Sequence, residues 1–329
     1  MSLDANQESD LYCRRIVLSS DNPYMTHNWS LATALTLCLL ALCVGFPLEL
    51  DAQSNQRHMI VSVVDGDGTP VTGLNTTDFE IREDGVSREV LRVEPAGAER
   101  QIAILVDTSQ AASSAVSSFR RGLTTFVDGM QQGNVISLIT FGGPPRIRVE
   151  STDDAARLRD SIDGLFAFPD QAAYLLDAIK QTADGFARRN ASRPIILALT
   201  TEGVDYSNSD ARRVLEQIDE IGASLYTLSL RVGRNAFLPS SSISSIELRN
   251  QQVERDLLFG KGPSDSGGRH RDLLADLAIE PALEDIVTEL RNQYLVVYSR
   301  PDALIPPEEI KINPTRQGLT ARGTPLRVE

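Results

Sequence analysis

Two hydrophobic patterns alternate along the middle of this chain. Ile102 to Val106 is apolar without a break, as expected of a strand in a parallel sheet covered on both faces. It ends in three oxygen-bearing residues, Asp107, Thr108 and Ser109, and a Ser/Ala-rich turn. Val116, Phe119, Leu123, Phe126, Val127 and Met130 then follow at helical spacing and predict an amphipathic helix. Val135 to Phe141 reads as a second buried strand, and Gly142 to Pro145 as a turn into a short edge strand over 146–149. Ala155, Leu158, Ile162 and Leu165 mark one helix; Ala172, Leu175, Leu176, Ile179, Ala183 and Phe186 mark another. The pattern continues with a strand over 194–200, a helix over 210–221 and a strand over 224–230. A helix over 279–290 carries Pro281 in its first turn, where proline is tolerated, and a last strand spans 294–298. This alternation predicts an α/β domain over 99–300, a doubly wound, mostly parallel, Rossmann-like sheet with helices on both faces. Asp107 to Ser109 then lie at the carboxyl end of a central strand, where such sheets bind ligands.

The pattern fails between Val232 and Asp272, where serines, glycines and charges dominate. Residues 232–272 are therefore read as a mobile insertion. On the amino-terminal side, residues 53–98 read as a small β unit. It has a strand over 58–64, a turn at Asp65-Gly-Asp67-Gly68, an alternating stretch over 78–82, a turn at Glu83-Asp84-Gly85 and a closing strand over 89–93. Residues 301–329 alternate again at Glu309 to Asn313 and are expected to return and pair with this unit, making it discontinuous in sequence.

Charge and cysteine usage narrow the class. Among 329 residues the formal net charge is −13, which argues against a nucleic-acid partner. All the cysteines, Cys13, Cys38 and Cys43, precede the predicted folded part, which leaves that part no disulfide framework, zinc cluster or thiol chemistry. Leu31 to Phe46 is an apolar run shorter than the about 20 residues of a membrane span, and Pro47 follows it. It suits a signal peptide over 25–52, cleaved after Ala52, with Met25 as the start and residues 1–24 as an over-extended one. Export to the medium, the periplasm or the cell envelope is the expectation, with membrane contact only through an uncleaved leader. Lipidation at Cys43 is disfavoured by the bulk of Leu42.

The strand ending Asp107-Thr-Ser109 resembles the Asp-x-Ser-x-Ser start of a von Willebrand factor type A domain. Val71-Thr-Gly-Leu74, Asp78-Phe-Glu80 and Glu83-Asp-Gly85 ahead of it, with Gly318 to Gly323 behind, are similar to the secreted Acidobacterial VWFA-related group. The resemblance implies a protein or matrix ligand at the carboxyl edge of the sheet, and in metal-binding members a Mg²⁺ site built by five side chains from three loops. Carried over position by position, Asp107 and Ser109 match the first two ligands and Ala111 replaces the third. Ala173 stands where the second loop has threonine, and Glu202 stands where the third loop, Thr201-Glu202-Gly203, has aspartate. Asp107, Ser109 and Glu202 thus form a degenerate remnant, with Asp170, Ser113 or Ser114 as substitute oxygens. Mg²⁺ sheds water reluctantly and demands near-octahedral oxygen geometry, so no cofactor is expected, with magnesium as the alternative.

Other chemistry finds little support. Asp65 and Asp67 lack the remainder of an EF-type calcium loop. Ser264-Asp-Ser-Gly-Gly268 with His270 resembles a serine-protease string, but a triad also needs a buried acid and an oxyanion hole. No catalytic residue is assigned. The expectation is an exported, non-enzymatic binding or adhesion-type protein. The alternative is a metal-independent structural or assembly component of the envelope, using helix faces or the insertion.

Overall fold

The computed structural model describes residues 56–97, 99–232, 245–300, 305 and 307–326. The leader, its cysteines and residues 233–244 lie outside the described residues. Within them no helix is long and apolar enough to cross a membrane.

In chain order the elements are β1 (Gln56–Val64), β2 (Phe79–Glu83), β3 (Val86–Arg88), β4 (Val90–Pro95), β5 (Gln101–Val106) and α1 (Val116–Met130). There follow β6 (Val135–Thr140), β7 (Arg146–Thr152), α2 (Ala155–Asp163), α3 (Leu175–Arg188), β8 (Pro194–Thr201), α4 (Ala211–Ile221) and β9 (Ser224–Leu230). The chain ends with α5 (Ser245–Asp265), β10 (Arg269–Leu273), α6 (Ile279–Arg291), β11 (Tyr294–Ser299), β12 (Ile310–Pro314) and β13 (Thr320–Leu326).

The central sheet has the order β10-β9-β8-β5-β6-β7, parallel except for the antiparallel edge strand β7. Alternate residues of β5 feed two cores. Ile102, Ile104 and Val106 pack with Phe119, Leu123 and Phe126 of α1 and with Leu283 and Leu290 of α6. Ala103 and Leu105 pack with Leu176 and Ile179 of α3, Val214 and Ile218 of α4 and Leu258 of α5. Burial on both faces explains the unbroken apolar run of β5, and each fully buried Leu or Phe contributes roughly 1.5–3 kcal/mol. The small β unit is a pair of antiparallel sheets, β13-β1-β11-β4 and β12-β2-β3, closed over Met59, Val61, Phe79, Ile81 and Val296. Its strands come from both ends of the chain, β12 pairing with β2 and β13 with β1. The Asp65 turn is closed by its own carboxylate, whose Oδ1 accepts from the Asp67 and Thr69 N–H groups at 3.0 and 2.9 Å.

Three expectations are corrected. The segment read as a mobile insertion contributes α5 and β10, and β10 lies parallel to β9 as the sixth strand of the central sheet. Its glycines allow close packing. A Cβ at Gly262 would meet Leu215 Cδ2 at 2.8 Å, and one at Gly268 would meet the Leu225 carbonyl oxygen at 2.0 Å. Second, Tyr294–Ser299 does not close the central sheet; it pairs antiparallel with β1 and β4. β10 already occupies the place beside β9, and the short link after α6 delivers the chain to the β unit instead. Third, α3 starts at Leu175, because Ala173 is held between two loops by bridges to Gly142 and Asp205.

Buried charge joins the two parts. Glu289 of α6 is 1% exposed and accepts from the Tyr226 hydroxyl at 3.1 Å. It also faces Arg322 of β13 at 2.8 Å and Arg269 of β10 at 3.7 Å.

Candidate functional site at the carboxyl edge

The three loops that resemble metal-bearing loops meet at the carboxyl end of β5 and β8. The Phe168 N–H donates to the Thr108 carbonyl, and the Gln110 N–H to the Gln171 carbonyl. The Gly142 N–H donates to Thr108 Oγ1 at 3.1 Å, and the Gly143 N–H to the Ala172 carbonyl. Ala173 takes an N–H···O=C bond to Val204 and accepts one from Tyr206. The loops are thus laced together by main-chain bonds.

Within that frame Asp107 is fully buried and its carboxylate is occupied by the protein. Oδ1 accepts from the Ser109 N–H at 2.8 Å; Oδ2 accepts from the Thr201 N–H at 3.0 Å and the Thr201 hydroxyl at 2.7 Å. The Ser109 hydroxyl is buried without a hydrogen-bond partner in the protein. Ala111 is buried, with its Cβ 3.0 Å from where a Cβ on Gly203 would fall, and Ala173 is buried as well. Glu202 is half exposed, and its carboxylate lies 3.6 Å from the Arg231 guanidinium. Asp170 is exposed at a left-handed φ of 59°, its N–H bonded to Gln110 Oε1 at 2.8 Å. The Ser113 hydroxyl is taken by the Gln110 carbonyl at 2.6 Å. Among the described residues no three Asp, Glu, His or Cys side chains gather as a metal site. The donor set does not fit the octahedral oxygen shell that Mg²⁺ demands.

The sequence reading missed two charged residues here. Asp205 is 3% exposed, with Oδ1 accepting from the Ser207 N–H at 2.9 Å and Oδ2 buried without a protein donor. Burial raises its pKa above the ordinary carboxylate value, against the opposing Ser207 hydrogen bond and the Arg255 charge. The Asp-x-Ser spacing is the one available signal, since aspartate bonds the backbone two residues on in Asx turns. Arg255 of α5 is 6% exposed, donates to the Thr201 carbonyl at 3.0 Å, and lies 5.2 Å from the Phe259 ring centre. It places a fixed cation beneath the edge, from the segment expected to be a mobile insertion.

His270 belongs to a different arrangement. Its ring stacks on Phe259 at 4.5 Å, with Nδ1 2.7 Å from the Thr227 hydroxyl and Nε2 3.3 Å from Asp272. The order hydroxyl, imidazole, carboxylate is that of a nucleophile relay, but Thr227 is fully buried and presents no nucleophile to solvent. Ser264 and Ser266 of the protease-like string lie at the end of α5, where Ser266 Oγ donates to the Gly262 carbonyl at 2.6 Å.

A parallel sheet with one antiparallel edge strand, helices on both faces and an aspartate-led loop at the centre of its carboxyl edge defines a type A architecture. Residues 102–204 match the family model of the von Willebrand factor type A domain. Among solved structures it is similar to the conserved hypothetical protein BatB from Bacteroides thetaiotaomicron. The identity is 14% over 58% of this chain and 97% of that one, with a TM-score of 0.41. It is similar to a von Willebrand factor type A protein from Catenulispora acidiphila, at 10% identity over 84% and 74% of the two chains, TM-score 0.44. It is also similar to proximal thread matrix protein 1 from the mussel byssus, described with a zinc-occupied MIDAS motif. There the identity is 13% over 62% and 49%, with a TM-score of 0.45. A comparison with curated proteins finds no match.

Proposed function

We propose that this is an exported, non-enzymatic binding protein of the Acidobacterial VWFA-related kind, which holds a protein or matrix ligand at the carboxyl edge of its type A domain through a degenerate metal site. The observation that carries the metal-independent part is the Asp107 carboxylate, bonded to Ser109 N–H and to both Thr201 donors. Ala111 and Ala173 offer no side-chain oxygen, and Glu202 turns to Arg231. Export rests on the apolar run Leu31 to Phe46 and on the confinement of cysteine to the first 43 residues. The edge also offers exposed apolar side chains for contact. Phe166 is 52% exposed in the loop held to Thr108, and Leu277 is 74% exposed ahead of α6.

A second reading, assembly within the envelope through a helix face, draws support from α5, which exposes Ile246 at 71% and Val253 at 57%, two turns apart. One experiment separates the two. The full chain is incubated with native envelope, with and without EDTA, and partner capture is compared for Phe166→Glu/Leu277→Glu and Ile246→Glu/Val253→Glu. The proposal expects EDTA-insensitive capture that the first pair abolishes and the second leaves intact. Capture lost in EDTA, or lost only with the second pair, overturns it. Calorimetric titration of the unmodified protein with Mg²⁺ is expected to give no binding heat.

A further inference from the structure

The face opposite the carboxyl edge carries a surface that the type A site does not use. A groove of about 860 Å³ opens beside Gly222 and Ala223, at the amino end of β9. One wall is the carboxyl ends of α4 and α5; the other is β12 and β13. On the strand wall the lining residues run consecutively, from Ile310 to Asn313 in β12 and from Ala321 to Pro325 in β13. A sheet face presents every second residue, so consecutive lining means that the strands turn their edges to the groove. The topology agrees, because β12 and β13 are each the terminal strand of their sheet. β13 is engaged at its end, where the Thr324 hydroxyl donates to the Ser266 carbonyl and lies 2.9 Å from the Ser224 hydroxyl. Among the described strands β12 pairs with β2 alone.

The charge on this groove is one-sided. Glu216, Asp219, Asp265, Glu308 and Glu309 line it, against Lys311 and Arg322. Arg322 is committed to buried Glu289 at 2.8 Å, and Lys311 lies 2.8 Å from Glu309. Leu215, Ile310 and Ile312, all partly exposed, supply apolar contact. An open strand edge offers a row of main-chain donors and acceptors that an extended segment can pair with. A carboxylate-rich rim favours lysine and arginine on that segment and disfavours acids. We infer that the groove takes an extended basic peptide segment of a partner protein, which adds a strand to β12 and lays its cations against the α4 and α5 carboxylates.

The test uses the full chain and a fluorescein-labelled heptapeptide of alternating lysine and valine, followed by anisotropy at physiological ionic strength. A glutamate/valine counterpart is expected to bind at least about tenfold more weakly. Glu216→Lys/Asp219→Lys/Glu309→Lys, all at exposed positions, is expected to weaken the basic peptide by about tenfold or more. The control Asp153→Lys/Asp163→Lys/Glu284→Lys changes net charge equally at exposed positions elsewhere and should stay within about twofold of the unmodified protein. A peptide N-methylated along one edge should lose about tenfold or more, because that edge can no longer donate to β12. This last comparison leaves the protein unaltered, so misfolding cannot imitate it. Equal loss in the control triple would mean attraction to net charge alone, and would overturn the inference. So would indifference to N-methylation, or equal binding of the acidic peptide.

Discussion

Replacing Asp107 by alanine strands three donors at a point that water does not reach. The residue is fully buried and its two oxygens accept from the Ser109 N–H, the Thr201 N–H and the Thr201 hydroxyl at 2.7–3.0 Å. A buried donor left without a partner costs roughly 1–3 kcal/mol. Against this, the substitution removes the cost of keeping a carboxylate out of water. A net loss of about 3–4 kcal/mol follows, or about 6–16 °C in Tm at about 2–4 °C per kcal/mol for a protein of this size. Asp107→Asn keeps one acceptor oxygen and the same shape, so its loss should fall between those of the native protein and the alanine variant. The assay is thermal and urea unfolding of the full chain in EDTA, so that no metal contributes to either state. The opposite reading, a carboxylate kept for an absent ligand, makes the reverse forecast. Removing a buried charge that nothing in the metal-free protein needs would leave stability unchanged or raise it. A Tm for Asp107→Ala within about 1 °C of the native value, or above it, would refute the structural role given to this residue.

Four further outcomes are expected. Glu289→Ala removes the buried carboxylate that Arg269 and Arg322 face and should cost about 3–5 kcal/mol in urea unfolding; an unchanged midpoint would mean that the β unit is held by packing alone. Burial holds the His270 pKa below its ordinary 6.5, so the fold prefers the neutral ring while the unfolded chain takes up the proton. Its contribution is therefore complete above about pH 6.5 and falls as pH drops through that value, and His270→Gln should flatten urea midpoints between about pH 7.5 and about pH 5.5. Gly268→Ala should destabilise by about 2–3 kcal/mol because its Cβ meets the Leu225 carbonyl oxygen at 2.0 Å, and a neutral result would return residues 245–273 to the status of a loose insertion. Ala111→Ser/Ala173→Thr/Glu202→Asp should gain Mg²⁺ affinity in the millimolar range or better, roughly 4 kcal/mol, by calorimetry, and silence there would mean that the Thr201 donors and Arg255 exclude the cation even with the ligands restored.

Much of the central sheet was legible because its strands are buried on both faces and its main helices are amphipathic. Ile102 to Val106 and the α1 stripe from Val116 to Met130 carry opposite periods that tertiary contacts do not disturb. α5 and β10 were not legible for an equally physical reason. α5 buries little besides Arg255, Leu258, Gly262 and Pro263, and Gly260, Gly262 and Pro263 lower its helix propensity. β10 reads Arg-His-Arg-Asp-Leu because it is an edge strand whose arginines and histidine face Glu289, Asp285, Thr227 and Asp272. Polar residues with specific partners look like loop residues when the partners are unknown. The misplacement of β11 had the same root. With β10 unseen, Tyr294–Ser299 was the one remaining candidate to close the sheet. At the carboxyl edge, Asp107, Ser109, Ala111, Ala173 and Glu202 could be placed by motif spacing, but the occupation of Asp107 by Thr201 could not. It depends on which side-chain rotamer the Thr201 hydroxyl adopts, and no spacing encodes that.

The residue with no sequence signal bears most directly on the edge. Arg255 reaches from α5 to the Thr201 carbonyl, and the same Thr201 donates its N–H and hydroxyl to Asp107. One threonine therefore links a buried guanidinium to the aspartate that leads the metal motif. A divalent cation brought to Asp107 would compete with the two Thr201 donors for Oδ2. It would also feel the repulsion of Arg255, weakly screened because both groups are buried. The alanines at 111 and 173 remove donors, and Arg255 removes part of the electrostatic reason for a metal to be there. These are separate physical effects, one a matter of coordination number and the other of charge, and they act in the same direction. Arg255 also keeps Asp205 company in a buried position that raises its pKa, so a positive charge at this depth is already provided by the chain. What the edge presents outward includes exposed Phe166, Leu274 and Leu277, and Arg231 set between Glu202 and Asp272. On the function proposed above, a ligand at this edge would be recognised by shape and apolar contact, with the paired charges setting orientation more than affinity.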